Sequence, residues 1–316
     1  YLTRPVKVTT LPVALSFLVI SVILAKLTFD DYFGASGTGQ FELDLVNRFM
    51  EPDMSLNALL LKTCFVGGLG LASLRLALNY WMLDQNAAAV VGLLYSCVLV
   101  PVGFTVLTFF YNSGLEKAIT VGPLLSSVRR RPGAWGENWA WCLFGGHTFN
   151  GFVVYELVWE LAVYGVQNRA AIYHHVIFTA LSGGMCWTTS FAYVGASFQI
   201  MELSTIPLKV KRLATLKDYS QNPGLKTINT AAGILFAITF FLTRVAHLSV
   251  TVVIFFKWIA EGSIKGFTPG PAYDCTIGLL LLGAFGLQLY WFRLIVKKVI
   301  YKERPRPEIE KKLHQG

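Results

Sequence analysis

Apolar stretches long enough to cross a bilayer recur along the whole of this 316-residue sequence, and nothing else in it constrains the fold as strongly. A hydrocarbon core about 30 Å thick takes roughly 20 apolar helical residues to span. Windows of that kind run from Leu11 to Phe29, Leu56 to Leu83, Ala87 to Tyr111, Trp139 to Tyr164, Ala171 to Thr189, Ala192 to Leu208, Ile228 to Trp258 and Cys275 to Ile300. Length alone would permit one or two soluble domains. With 54% hydrophobic and only 14% charged residues, against roughly 25% charged in ordinary soluble chains, that option is excluded. Backbone groups in lipid must be satisfied internally. The reading is therefore an all-α, polytopic transmembrane helix bundle of about eight spans.

The net charge of +9 does not point to nucleic acid. The basic residues cluster in short loops and in the tail from Lys297 to Lys312, beside the ends of apolar windows. That is the positive-inside pattern, and no basic face with interleaved aromatics accompanies it. Arg4 and Lys7 precede the first window, and an acidic linker with Asp30, Asp31, Glu42, Asp44, Glu51 and Asp53 follows it. The N-terminus is therefore expected on the cytosolic or matrix-like side. Eight spans bring the C-terminus and the basic loop Lys209, Lys211, Arg212, Lys217 and Lys226 to the same side. The loop carrying Arg129, Arg130 and Arg131 falls opposite, against the charge rule, which suits contact with a partner or with lipid headgroups. Trp135, Trp139 and Trp141 read as interfacial anchors. Gly67, Gly68 and Gly70 read as close helix packing rather than a phosphate loop, since no strand precedes them. The cysteines Cys64, Cys97, Cys142, Cys186 and Cys275 stand singly, without metal or redox spacing, and read as buried thiols.

Ionisable residues inside spans are costly and mark functional sites. His147, His174, His175 and His247 fall inside windows, with Glu156, Glu160, Glu202, Arg75 and Arg244. Three carboxylates against two arginines predict internal ion pairing; Arg244 and His247, three residues apart on one face, can hold an anionic headgroup or salt-bridge to Glu156 or Glu160, and the salt bridge is the preferred reading. His174 lies near the start of its helix and Glu202 near the end of the returning one, so antiparallel packing brings them to similar depth. A histidine with a carboxylate, away from water, can serve as general base or as nucleophile with its orienting group. Adjacent positions on a helix point about 100° apart, so one of the paired histidines faces a cavity while the other braces a neighbour. No HExxH spacing is present, and no metal is expected.

Five pieces of sequence, in order, resemble the TLC-domain family, which groups translocation-associated membrane proteins, ceramide synthases and a lipofuscinosis protein of the endoplasmic reticulum. They are Tyr155–Glu156, His174–His175, Glu202–Leu203–Ser204–Thr205 with Pro207, Phe240–Phe241–Leu242–Thr243–Arg244, and Gln288–Leu289–Tyr290–Trp291–Phe292. The resemblance covers about residues 130–305. It divides the chain into an N-terminal span with its acidic linker (1–55), additional transmembrane helices (56–125), a TLC-like core (126–302) and a charged tail (303–316). It implies a bundle around a cavity for a long acyl chain, in the endoplasmic reticulum membrane. In the ceramide synthase branch paired histidines carry acyl transfer, so His174 and His175, with Glu202, are the catalytic candidates. Glu156, Ser204, Thr205, Arg244, His247, Tyr290 and Trp291 are the candidates for holding lipid. No resident cofactor is implied; acyl-CoA would be the co-substrate of an N-acyltransferase. The further acidic residues of the synthase signature do not follow the histidine pair, so the lipid-handling branch is the better match.

A reading of a different class makes the chain a non-catalytic subunit of a large organellar complex, with other membrane subunits docking on the Arg129–Arg131 loop and the tail. A start at Tyr1 rather than methionine is compatible with a removed presequence, and hence with the mitochondrial inner membrane. A transporter is disfavoured, because no inverted repeat or pair of broken helices is visible.

Overall fold

A computed structural model of the chain describes residues 16, 19–23, 26, 56–79, 82, 84–113, 134–166, 169–188, 190–215, 222–262 and 268–300. The expectations for the acidic linker, the Arg129–Arg131 loop and the C-terminal tail lie outside those residues, as do those for the Trp135 and Trp139 side chains. Within the first apolar window the described residues are helical. Nine α-helices follow among the described residues: α1 Leu56–Asn79, α2 Asp84–Ser113, α3 Ala134–Trp159, α4 Arg169–Thr188, α5 Ala192–Met201, α6 Thr205–Ala214, α7 Pro223–Phe240, α8 Leu248–Ala260 and α9 Pro271–Ile300. Short irregular helix joins some of them end to end. A π-helical turn, Glu160–Tyr164, prolongs α3; a 3₁₀ turn, Glu202–Ser204, joins α5 to α6; and a π-helical segment, Phe241–His247, joins α7 to α8. Among the described residues there is no strand.

Among the described residues, four helical stretches are long and apolar enough to cross a bilayer: Leu60–Asn79, Asn86–Asn112, Pro223–Ala260 and Pro271–Lys298. The chain is thus an all-α integral membrane protein. At 38 residues and about 1.5 Å per residue, the α7–α8 rod is longer than a hydrocarbon core is thick. Its start is set locally: Pro223 sits at the first helical position, and the Asn222 side chain accepts the backbone N–H of Gly224 at 2.9 Å. Asparagine caps and first-turn prolines favour helix entry because they use N–H positions the helix leaves unfilled.

The reversal between α4 and α5 turns on Phe191, whose backbone is left-handed at φ 55°. That conformation costs a non-glycine residue of order 1 kcal/mol or more. Burial offsets it: the Phe191 ring is fully enclosed, 4.9 Å from Phe255 and parallel to Tyr273 at 6.2 Å. The hairpin places α5 against α2, while α1 packs on α3, α3 on α4, α6 on both α2 and α7, and α9 on α4 and α8. Phe149, Phe178 and Phe198 form the centre, with ring separations of 5.0–6.2 Å.

Close helix packing sits only partly where the sequence put it: the Gly70 carbonyl accepts from Ser21 Oγ of the first apolar window at 3.0 Å, whereas Gly67 and Gly68 have no such close neighbour. A Cβ at Gly67 would meet nothing within 4 Å, and one at Gly68 would stand 3.9 Å from Tyr155. Gly67 and Gly70 border a cavity of about 260 Å³ with Ser21, Leu74, Tyr95 and Phe152. The backbones approach through other glycines. A Cβ at Gly151 would lie 3.2 Å from the Cα of Cys64, and one at Gly103 would lie 3.1 Å from the backbone N of Ile200. Small residues matter where they face another helix, and sequence spacing does not say which do.

Candidate functional site

A highly connected charged group is Arg244, in the π-helical segment and buried. Its Nε donates to the Met201 carbonyl at 3.2 Å and to Ser204 Oγ at 2.7 Å. Nη2 donates to Thr205 Oγ1 at 2.9 Å and lies 3.5 Å from Glu202 Oε1, and Nη1 donates to Gln288 Oε1 at 3.4 Å. A guanidinium carries its donors in a fixed fork, and the fork here is answered from four elements: α5, the 3₁₀ turn, α6 and α9. The 3₁₀ turn makes that possible, since it gathers Glu202, Ser204 and Thr205 around one point. The second oxygen of Glu202 accepts from Ser96 Oγ on α2 at 3.2 Å, and the same hydroxyl lies 2.9 Å from the Gly92 carbonyl.

A second cation stands on α1. Arg75 is 2% exposed; its Nη1 donates to Tyr155 OH at 3.3 Å and lies 3.8 Å from Glu156 Oε1, and its guanidinium sits 4.3 Å above the Trp159 ring. The two carboxylates thus have separate arginines. This corrects the expected pairing of Arg244 with Glu156 or Glu160. Which helices are neighbours decides the partner: α1 lies against α3 and takes Glu156, while the π-helical segment meets the 3₁₀ turn and takes Glu202.

Beside this network stand the two histidines. The His174 and His175 rings are 5.2 Å apart, with His174 4.5 Å from Phe178 and 5.0 Å from Trp291 of α9. The Nδ1 atoms of both rings are buried without a hydrogen-bond partner among the described residues. His175 is within electrostatic reach of Glu202, and His174 of Arg244. Thr179 and Gly183, four and eight residues beyond His175, share its face of α4. They line a groove of about 580 Å³ that Leu60, Leu61, Val154 and Tyr273 also border.

Of the residues expected at the site, His174, His175, Glu202, Ser204, Thr205, Arg244 and Trp291 come together, and Glu156 belongs to the adjoining Arg75 pair. Two do not join them. Tyr290 is 52% exposed on the outer surface, one helical position from the inward Trp291. His247 faces Tyr193 at 6.5 Å, away from the Arg244 fork. The expectation that Arg244 and His247 share a face assumed an α-helix; the wider turn of the π-helix, with its i→i+5 bonding, rotates them apart. Ser96, Gln288 and Lys209 were missed. Gln288 is a fully buried amide in an otherwise apolar stretch of α9, a signal present in the sequence. Lys209 was read as one more charge in a basic loop.

Residues 85–297 match the family model for the TLC domain, a span that contains all five of the motif pieces and takes in α2 as well. No curated protein matches the chain, and no solved structure does. The matched span is more than half of the sequence and runs from the first turn of α2 nearly to the end of α9, so this protein belongs to the TLC-domain family.

Proposed function

We propose that this protein holds a long-chain acyl lipid, with its reactive end at His174 and His175 and its chain in the groove beside α4. The observation that carries this reading is the histidine pair itself: two imidazoles whose Nδ1 atoms have no partner among the described residues, on a face that continues into an apolar groove. From His175 to Thr188, another groove residue, α4 rises about 20 Å, which suits an extended hydrocarbon chain. Membership of a family whose members work in lipid metabolism or sensing supports the same reading, as does the endoplasmic reticulum setting that the resemblance implies.

The reaction such a site supports is acyl transfer from a thioester such as acyl-CoA to a long-chain amine. The amine nitrogen adds to the thioester carbonyl, the C–N bond forms and the C–S bond breaks. An imidazole takes the proton from nitrogen and returns it to the departing sulfur. Glu202, bound to Arg244 and Ser96, does not touch the substrate; it fixes the local charge beside His175. The test is lipid occupancy in the purified protein. Wild type should carry acyl lipid and His174→Ala/His175→Ala should lose it, and an unchanged lipid complement in the variant would overturn the reading.

A further inference from the structure

Lys209 on α6 is a member of the charged cluster to which the proposed function gives no role. Its side chain lies across the bare backbone of Gly92 on α2, where a Cβ would stand 2.7 Å from Lys209 Cε and 3.0 Å from Nζ. The ammonium is half-buried and makes no hydrogen bond or ion pair with the described residues. The charges close enough to act on it are the carboxylates of Glu156 and Glu202 and the guanidiniums of Arg75 and Arg212. With Arg244, which pairs with Glu202, the cations including Lys209 number four against two carboxylates. Glu156 and Glu202 have Arg75 and Arg244 as their partners, so the Lys209 ammonium has no carboxylate of its own among the described residues.

A surplus cation on the flank of a membrane bundle is expensive unless an anion meets it. Lys209 follows the last residue of its apolar window and lies two and three residues before Lys211 and Arg212 at the end of α6, where basic residues meet lipid headgroups. A lysine ammonium is a compact point charge on a flexible stem and takes carboxylate or phosphate oxygen without a fixed geometry. We infer that Lys209, seated in the Gly92 slot, is an anion-recognition residue that takes the anionic end of an acyl lipid as it enters the site. This rests on the acyl-lipid reading above.

Two variants test it in complementary ways. Lys209→Met removes the charge and keeps the stem. Gly92→Ala keeps the charge and displaces it, at little cost to the fold, because the atoms it strikes are the far end of a flexible side chain. The measurement is equilibrium binding of radiolabelled oleate and of radiolabelled oleyl alcohol to the full chain in nanodiscs of neutral lipid. Wild type should prefer oleate by about tenfold, the size of one charge-assisted hydrogen bond. Both variants should bring the two affinities to near equality. An oleate preference that survives in Lys209→Met overturns the inference. So does equal binding of the two probes by wild type, which leaves the acyl-lipid reading standing. Binding of neither probe removes that reading itself. Displacement of oleate by inorganic phosphate and not by oleyl alcohol would assign Lys209 to a soluble anion and overturn the lipid assignment.

Discussion

An arginine inside a lipid-spanning rod persists only where its donors and its charge are both met. Arg244 achieves this with a carbonyl, two hydroxyls, an amide and a carboxylate. Removing one partner of a buried pair costs about 3–5 kcal/mol, because the other charge is left uncompensated. Arg244→Met should therefore lower the thermal unfolding midpoint far more than Glu202→Gln, which keeps a hydrogen-bonding oxygen near Ser96. The double variant should recover part of the loss, and a double-mutant cycle reads the coupling directly. Additive losses would mean the 3.5 Å contact contributes little. Arg244→Lys should fall near the methionine variant, since an ammonium cannot answer Ser204, Thr205 and Gln288 at once. The sequence showed that these residues are unusual, because charge inside apolar windows is visible at once. It did not show their pairing, because the order of helices around a bundle is not written in any one window.

Helices were legible in outline, since apolar windows of that length leave few alternatives. Each window from Leu56 onward overlaps a helix, though the first overruns its helix end at Asn79, and four stretches of the described residues, not eight, meet the length and hydropathy of a span; the tight pair around Phe191 was visible in the sequence. The interruptions were not. The π-helical segment in the α7–α8 rod and the 3₁₀ turn between α5 and α6 interrupt apolar sequence with no glycine or proline inside them to mark the change. Pro207, standing just beyond the 3₁₀ turn, has no N–H and its ring opposes the carbonyl of Leu203, a local cause of that turn, whereas the π-helical segment carries no such mark. Glycine packing was placed only in part, and the difference is measurable. Gly103→Ala should destabilise by about 1–3 kcal/mol, since its Cβ must displace the backbone and side chains of α5. Gly67→Ala, with nothing within 4 Å, should be neutral or slightly stabilising through helix propensity. Thermal unfolding of the two single variants in the same detergent checks this, and equal effects would contradict the packing described.

Taken whole, the molecule separates its polar chemistry from its apolar groove. Arg75, Glu156, His174, His175, Glu202 and Lys209 all belong to the ends of helices that the charge rule places toward the basic side. The groove lies beyond them along α4, bordered by Leu60 and Leu61 near the start of α1 and by Tyr273 near the start of α9. That polarity suits an amphiphile entering with its head toward the basic side. Lys209 escaped the sequence reading because, among Lys211, Arg212, Lys217 and Lys226, one more lysine reads as solvated charge; only the Gly92 slot sets it apart. The central claim, an acyl lipid held beside the histidine pair, is tested most directly by the native mass of the protein extracted gently from its own membrane, with its lipids identified in the same particle. The account predicts one or two chains carrying acyl lipid, and loss of that lipid in His174→Ala/His175→Ala. A particle many times larger, of fixed stoichiometry and without acyl lipid on this chain, would contradict it and make the protein a structural subunit.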